Sequence, residues 1–144
     1  MKILDLNLLI YAMNVASPLH ASAKDWLETL LSGEESIALP WIVVVGFLRV
    51  TTHPRVLPRP LTPEAAMGVI DALVERPHLS LLSTPDGHWT VLRNLIAKSG
   101  TAGNLATDAH LAAIAIQHDA ELCSADSDFG RFAGLRWTNP LADR

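Results

Sequence analysis

Five short apolar runs, spaced along a chain whose intervening segments carry helical patterning, are what most constrains the fold. "KILD", "SIAL", "LSLL", "ELCS" and "LRWT" each have the length and character of a buried strand. The segments between them supply the helices. One starts near Asn7. A second opens at Ser17-Pro18, carries Ala23, Trp26, Leu27, Leu30 and Leu31 on its apolar positions and ends at Gly33. Pro40 suits the first turn of a third, running to about Thr51. "THPRVLPRPL" is a Pro-rich loop, and Thr62, Pro63 and Glu64 form a strong helix start. Asp86 to Lys98 reads as a helix ended by Gly100, and "TDAHLAAIAIQHD" as a helix capped by Thr107. Apolar strands alternating with helices imply a parallel sheet covered on both faces. The expected fold is an α/β three-layer sandwich with a central, mostly parallel five-stranded sheet.

The chain's 144 residues, 49% hydrophobic, contain no repeat, low-complexity tract or long linker, so residues 1–144 are expected to form one domain. A net charge of −4 gives no global basic field, and any nucleic-acid contact must use a local patch. Cys123 is the single cysteine, which excludes an intramolecular disulfide and a cysteine-based zinc cluster. The longest apolar run, Ile37 to Leu48, has 12 residues and includes Pro40, too short for a bilayer span. The start, "MKILDLNLLIYAM", has an acid at position 5 and no small-residue cleavage signal, so a cytoplasmic location is expected.

Chemistry in open parallel sheets concentrates beyond the carboxyl ends of the strands. Asp5 closes the first strand, and Asp126 and Asp128 follow the fourth. Asp108 stands at a first helical turn, in line with Leu111, Ala112 and Ala115 at three, four and seven residues on, which puts it at the top of a core-facing stripe. Each acid also has a plain reading. Asp108 could be a first-turn carboxylate favoured by the helix dipole, and Asp126 and Asp128 could cap a turn. Asp5 is harder to explain this way, because an acid closing a buried strand needs a partner. Carboxylates gathered at one sheet edge repel, and a hard divalent cation such as Mg²⁺ or Mn²⁺ resolves that repulsion.

"LDLNLLIYA", "GNLATDAHLAAIAIQHDAELCSADSDFGRF" and the "GLRWTNPL" tail resemble a PIN domain, and more closely the VapC ribonuclease toxins of bacterial toxin–antitoxin pairs. "LPWIVVVGFLRVTTHPRV" is similar to the middle of one VapC subgroup, so the likeness spans essentially the whole chain. The ordered set of D-x-N, D-A-x-L-A-A and S-x-D-x-D-F carries it. The resemblance implies a metal-dependent endoribonuclease, the toxin of a type II pair, which hydrolyses RNA to inhibit translation and growth. Asp5, Asp108 and Asp126 match the metal-binding acids, and Asp128 an acid that assists catalysis. Asn7 would orient Asp5 or a bound water, and Ser124 would do the same near Asp126. In-line attack of water on phosphorus would leave a 5′-phosphate and a 3′-hydroxyl. A small cognate antitoxin and homodimerisation are implied as well, with the helices around Ala21–Leu31 and Trp41–Thr51 as candidate surfaces. One position departs from the pattern: Gly46 stands where most members carry a Glu, and no acid lies between Glu35 and Glu64.

That acid-free stretch holds Arg49, Arg55, Arg59 and His53, the sizeable local excess of positive charge in this chain. It reads either as a phosphate-binding patch or as the solvated basic end of a helix. Arg131 would touch phosphate or pair with Asp128. Trp26 and Trp137 are expected in the core, Trp41 and Trp89 stay open, and His110 and His118 are read as structural or surface residues. Two other functions compete with the nuclease. A catalytically weak PIN module would bind RNA or protein without efficient cleavage, as Gly46 suggests. A receiver domain would want paired acids after the first strand and a phosphoacceptor Asp after the third, where "LSLLSTPD" is a poor match.

Overall fold

The computed structural model describes residues 1–100 and 102–142. Its order is β1 (Lys2–Leu4), α1 (Leu6–Met13), α2 (His20–Ser32), β2 (Ile37–Pro40), α3 (Trp41–Thr51), α4 (Pro63–Val74) and β3 (Leu79–Leu82). There follow α5 (His88–Ser99), a 3-10 turn (Gly103–Leu105), α6 (Ala106–Gln117), β4 (Glu121–Cys123), a second 3-10 turn (Ser127–Arg131) and β5 (Arg136–Thr138).

The five strands form one sheet in the order β3-β2-β1-β4-β5, and every neighbouring pair is parallel. Parallel neighbours need crossover connections, which in such sheets are right-handed as a rule. The steps β1→β2→β3 run in one direction, while β3→β4 returns past β1. The helices therefore divide between the faces: α1 packs on α2 and α3, and α3 on α4, whereas α5 packs on α6. The core fills both interfaces. Ile3, Leu4, Ile37, Leu39 and Leu122 come from the strands, and Leu8, Leu9, Phe47 and Ile114 from the helices, all fully buried. Thr51, equally buried, donates its hydroxyl to the Phe47 carbonyl at 2.7 Å, so no polar atom is stranded there.

The expected sandwich is the one observed, and the differences lie at element ends. The first helix begins at Leu6, beside Asn7 as expected, where Asp5 caps it through the Leu6 N–H. Ser17 and Pro18 precede the second helix instead of opening it; the Ser17 hydroxyl accepts from the Leu19 N–H, and the helix starts at His20. Pro40 closes β2 opposite Leu82, its extended ψ of 149° suiting a strand end that leads into α3. Gly87, in the left-handed region at φ 78°, delays α5 to His88, while Gly100 ends it as expected. Thr107 does not cap α6, because the 3-10 turn runs directly into the helix and leaves Thr107 inside its first turn. Thr62 does cap α4, accepting from the Ala65 N–H at 3.1 Å.

Candidate active site and metal centre

The sheet reverses direction between β1 and β4, since β1 leads one way to β2 while β4 lies on its other side. The crevice at such a switch point is where parallel sheets bind ligands. Leu4 pairs with Cys123, so the residues just beyond the two strands, Asp5 and Ser124, emerge side by side.

Ser124, fully buried, organises this end of the sheet. Its hydroxyl donates to Asp5 Oδ2 at 2.7 Å and accepts from Asn7 Nδ2 at 3.1 Å and from the Asp126 N–H at 3.0 Å. That uses the one donor and both acceptor sites of a hydroxyl. The other oxygen of Asp5 accepts from the Leu6 N–H at 2.7 Å, and Asn7 Oδ1 accepts from the Ala125 N–H at 3.3 Å. Asn7 thus reaches Asp5 through Ser124. The Trp137 indole donates to the Ser124 carbonyl at 3.0 Å, so this tryptophan, half-buried, braces the site as well as packing. Asp126 caps the turn that follows, accepting from the Asp128 N–H at 2.9 Å. The turn-cap reading of Asp126 is true, and it also fixes where the carboxylate points.

Carboxylate oxygens of Asp108, Asp126 and Asp128 lie within 4.8 Å of one another, each residue partly buried. Asp5 sits behind them, buried and close enough for the Asp126 charge to raise its pKa; burial is the larger cause of that rise, opposed by the Ser124 and Leu6 hydrogen bonds. Asp108 is pushed up to about 6 by burial first, then by the charges of Asp126, Asp5 and Asp128, with Arg131 opposing. Arg131 meets Asp128 at 3.5 Å, an exposed pair that offsets little of this charge. Lys2 offers Asp5 nothing, since it pairs with Glu35. A cluster of hard oxygen donors that repel one another, without enough internal cation, has the donor chemistry that suits Mg²⁺ or Mn²⁺.

Beside the acids, a cleft of about 540 Å³ runs between α1 and α3, with Asp5, Asn7, Asp108 and Arg49 among its lining. A PIN-domain family model matches residues 2–135. The chain belongs to the PIN-domain family. It is 40% identical over 142 residues to Ribonuclease VapC37 of Mycobacterium tuberculosis, covering 99% of each chain, which places it in the VapC branch. It is also 40% identical over 143 residues to Ribonuclease VapC33 of the same species, covering 99% of this chain and 100% of the relative. The fold matches VapBC2 from Rickettsia felis, solved bound to a promoter DNA fragment, with a TM-score of 0.70 at 22% identity over 96% and 97% of the two chains.

This PIN domain treats its basic residues unequally. Arg49 lies in the cleft beside the acids. Arg59 lines a separate groove of about 380 Å³ with Met13 to Ala16, and Arg55 is exposed on the loop, its N–H donating to His53 Nδ1. Gly46 lines the acid cleft, and a Cβ there would come within 2.9 Å of Leu6 Cδ2. The leucine of this PIN domain's D-x-N motif covers the place where the further acid would stand. Sequence reasoning missed Tyr11, Ile42 and Val45 as cleft residues. The signal was available: Asn7 and Tyr11 are one turn apart, and Ile42, Val45, Gly46 and Arg49 follow the i, i+3, i+4, i+7 pattern of a single helix face. It also missed His88, whose ring contacts His110 at 2.8 Å and Gln117 at 2.6 Å, tying α5 to α6.

Proposed function

We propose that this PIN domain is a Mg²⁺- or Mn²⁺-dependent endoribonuclease acting as the toxin of a type II toxin–antitoxin pair, hydrolysing RNA to block translation. The convergence of Asp5, Asp108, Asp126 and Asp128 at the switch point carries the reading. The ribonuclease names of relatives at 40% identity support the substrate class. Asp5, Asp108 and Asp126 would hold the cation, and Asp128 joins them because its oxygen belongs to the same group. Bound there, a divalent cation neutralises charge on the scissile phosphate and lowers the pKa of a water.

The chain's own residues prepare for this. Ser124 and Asn7 keep Asp5 from rotating, and Asp126 is held by the turn it caps. Asp108, its pKa raised to about 6, is mostly ionised near neutral pH, and a cation beside it would hold it in that form. Arg49, at the cleft, and Arg131, beside Asp128, are the cations best situated for RNA phosphates; Arg55 and Arg59 would extend the contact along the loop. A cognate antitoxin is the expected partner, since the fold's solved neighbours include VapBC complexes. Homodimerisation would use the outer faces of the helices around Ala21–Leu31 and Trp41–Thr51, away from the cleft, where Trp41 is 50% exposed. A cytoplasmic site of action belongs to the same proposal; no helix among the described residues is long and apolar enough to cross a membrane.

The receiver-like alternative is disfavoured by topology: β3 lies at the sheet edge, with β2 between it and β1. The weak-module alternative rests on Gly46, whose place in the cleft offers no acid. The deciding experiment is cleavage of structured RNA by purified protein in Mg²⁺ or Mn²⁺ against chelator, beside Asp5→Asn and Asp108→Asn. Metal-dependent fragments that vanish in both variants are expected. Binding without cleavage would favour the weak module, and equal cleavage by the variants would sink the assignment of these acids.

A further inference from the structure

We infer that the cleft between α1 and α3 receives an unpaired nucleobase of the RNA flanking the scissile phosphate, with Tyr11, Ile42 and Val45 as its walls and Arg49 at its polar edge. The inference rests on the ribonuclease reading and adds what selects the nucleotide. The cleft, about 540 Å³, adjoins Asp5 and Asp108 and is otherwise lined mainly by apolar side chains. That volume suits a nucleoside-sized ligand. A phosphate can meet the cleft at its rim, where Arg49 is the one cation in the lining, but the stretch between Tyr11, Ile42 and Val45 offers it no partner. The uncharged base is the part of a nucleotide whose chemistry matches that apolar stretch.

The Gly46–Leu6 contact makes the same point independently. A side chain at 46 would meet Leu6 Cδ2 at 2.9 Å, so a methyl group covers the ground that an ionised acid would otherwise hold. The cleft floor is apolar for that reason. Ile42 and Val45 are 38% and 58% exposed, apolar surface that a stacked base would cover. Unpaired bases are recognised by stacking on apolar or aromatic faces and by hydrogen bonds at their edges. The Tyr11 phenol and the Arg49 guanidinium, with the Thr107 hydroxyl and the Asn7 amide nearer the acids, are the groups in the cleft able to read an edge.

The test uses binding as well as cleavage. Full-length Asp108→Asn protein is titrated with fluorescent single-stranded RNA decamers, intact or with one abasic residue moved through each position. Arg49→Ala and Val45→Trp are then added in that background; Val45 is exposed, so the indole fills the cleft without entering the core. One abasic position is expected to weaken binding about tenfold, with both added variants equally weak on intact and abasic RNA. An abasic penalty that persists unchanged in both variants would place the base elsewhere and overturn the inference, as would no abasic penalty at any position. Loss of antitoxin binding in Val45→Trp with RNA binding unchanged would give the cleft to a protein segment, overturning it as well. Position-specific binding by protein whose wild type cuts no RNA in Mg²⁺ or Mn²⁺ would spare the base site and sink the nuclease. Cleavage indifferent to every abasic position would do the reverse.

Discussion

Across the cleft from Asp108, α3 turns Ile42, Val45 and Gly46 toward the space that the strand ends line with carboxylates. The two walls are held by different forces. On the strand side, position is set by hydrogen bonds: Ser124 uses every donor and acceptor it has, and Asp5, Asn7 and Asp126 are oriented through it. On the α3 side, position is set by packing, with Val43, Val44 and Phe47 buried beneath and Gly46 pressed against Leu6. The polar wall is rigid and electrostatically uneasy, whereas the apolar wall is relaxed and partly bare. Chemistry needs the first, and discrimination between ligands is better served by the second.

The hardest way to break the contrast is to remove charge from the polar wall. Asp108→Asn should lower the initial rate of RNA cleavage in Mg²⁺ by about a thousandfold, the scale of several kcal/mol of lost charge stabilisation. Removing an orienting group should cost less. Ser124→Ala leaves three partners short and is expected to weaken Mn²⁺ binding, followed by calorimetry, by about 10–100-fold and to destabilise the fold by about 2–3 kcal/mol. If affinity is unchanged, the hydroxyl only packs.

Blurring the two walls is the next test. Gly46→Glu alone should cost at most about 1 kcal/mol in urea unfolding, because Leu6 Cδ2 must swing aside while the helix loses an interior glycine. Combined with Leu6→Ala it should recover much of that and bind Mn²⁺ more tightly than wild type. Additive effects in this double-mutant cycle would mean that the two side chains do not compete for one space.

The pH response is smaller. Asp108 has a folded-state pKa of about 6 against an ordinary 3.8, so the folded, metal-free chain holds this proton more tightly than the unfolded one. Stability attached to it is therefore full below about pH 4, falls as pH rises toward 6 and is level above. Solvent contact screens the repulsion, so the loss is about 1 kcal/mol, or ~2–4 °C in Tm. Asp108→Asn should flatten that slope in thermal melts made with chelator present, leaving the part that the raised pKa of buried Asp5 contributes. Smallest of all, Arg131→Ala should shift stability by less than about 0.5 kcal/mol, because its partner pair is exposed.

Much of this was readable from the chain. The strand–helix alternation gave the sheet, and Asp5, Asp108, Asp126 and Asp128 stood out because their positions beyond strands and atop a helix stripe are where acids need a reason. The helix starts were less legible. Thr107 has the right chemistry for a cap, but a 3-10 turn upstream had already begun the coil. Asp86 lost the start of α5 to a glycine with positive φ. The apolar wall was the least visible, because Ile42 and Val45 look like ordinary core until the sheet and α1 show which face remains uncovered. Gly46 was noticed as a missing acid, and only the approach of Leu6 explains what replaced it.

The bond from Ser124 to Asp5 joins residues 119 positions apart, and β1 finds its partner β4 only near the end of the sequence. A ribosome that has made everything through α5 has produced the first carboxylate and none of its company. Domains fold as their segments emerge. In this order of synthesis the acidic cluster assembles last, after β4 has docked beside β1, so a chain interrupted after α5 carries Asp5 and half a crevice.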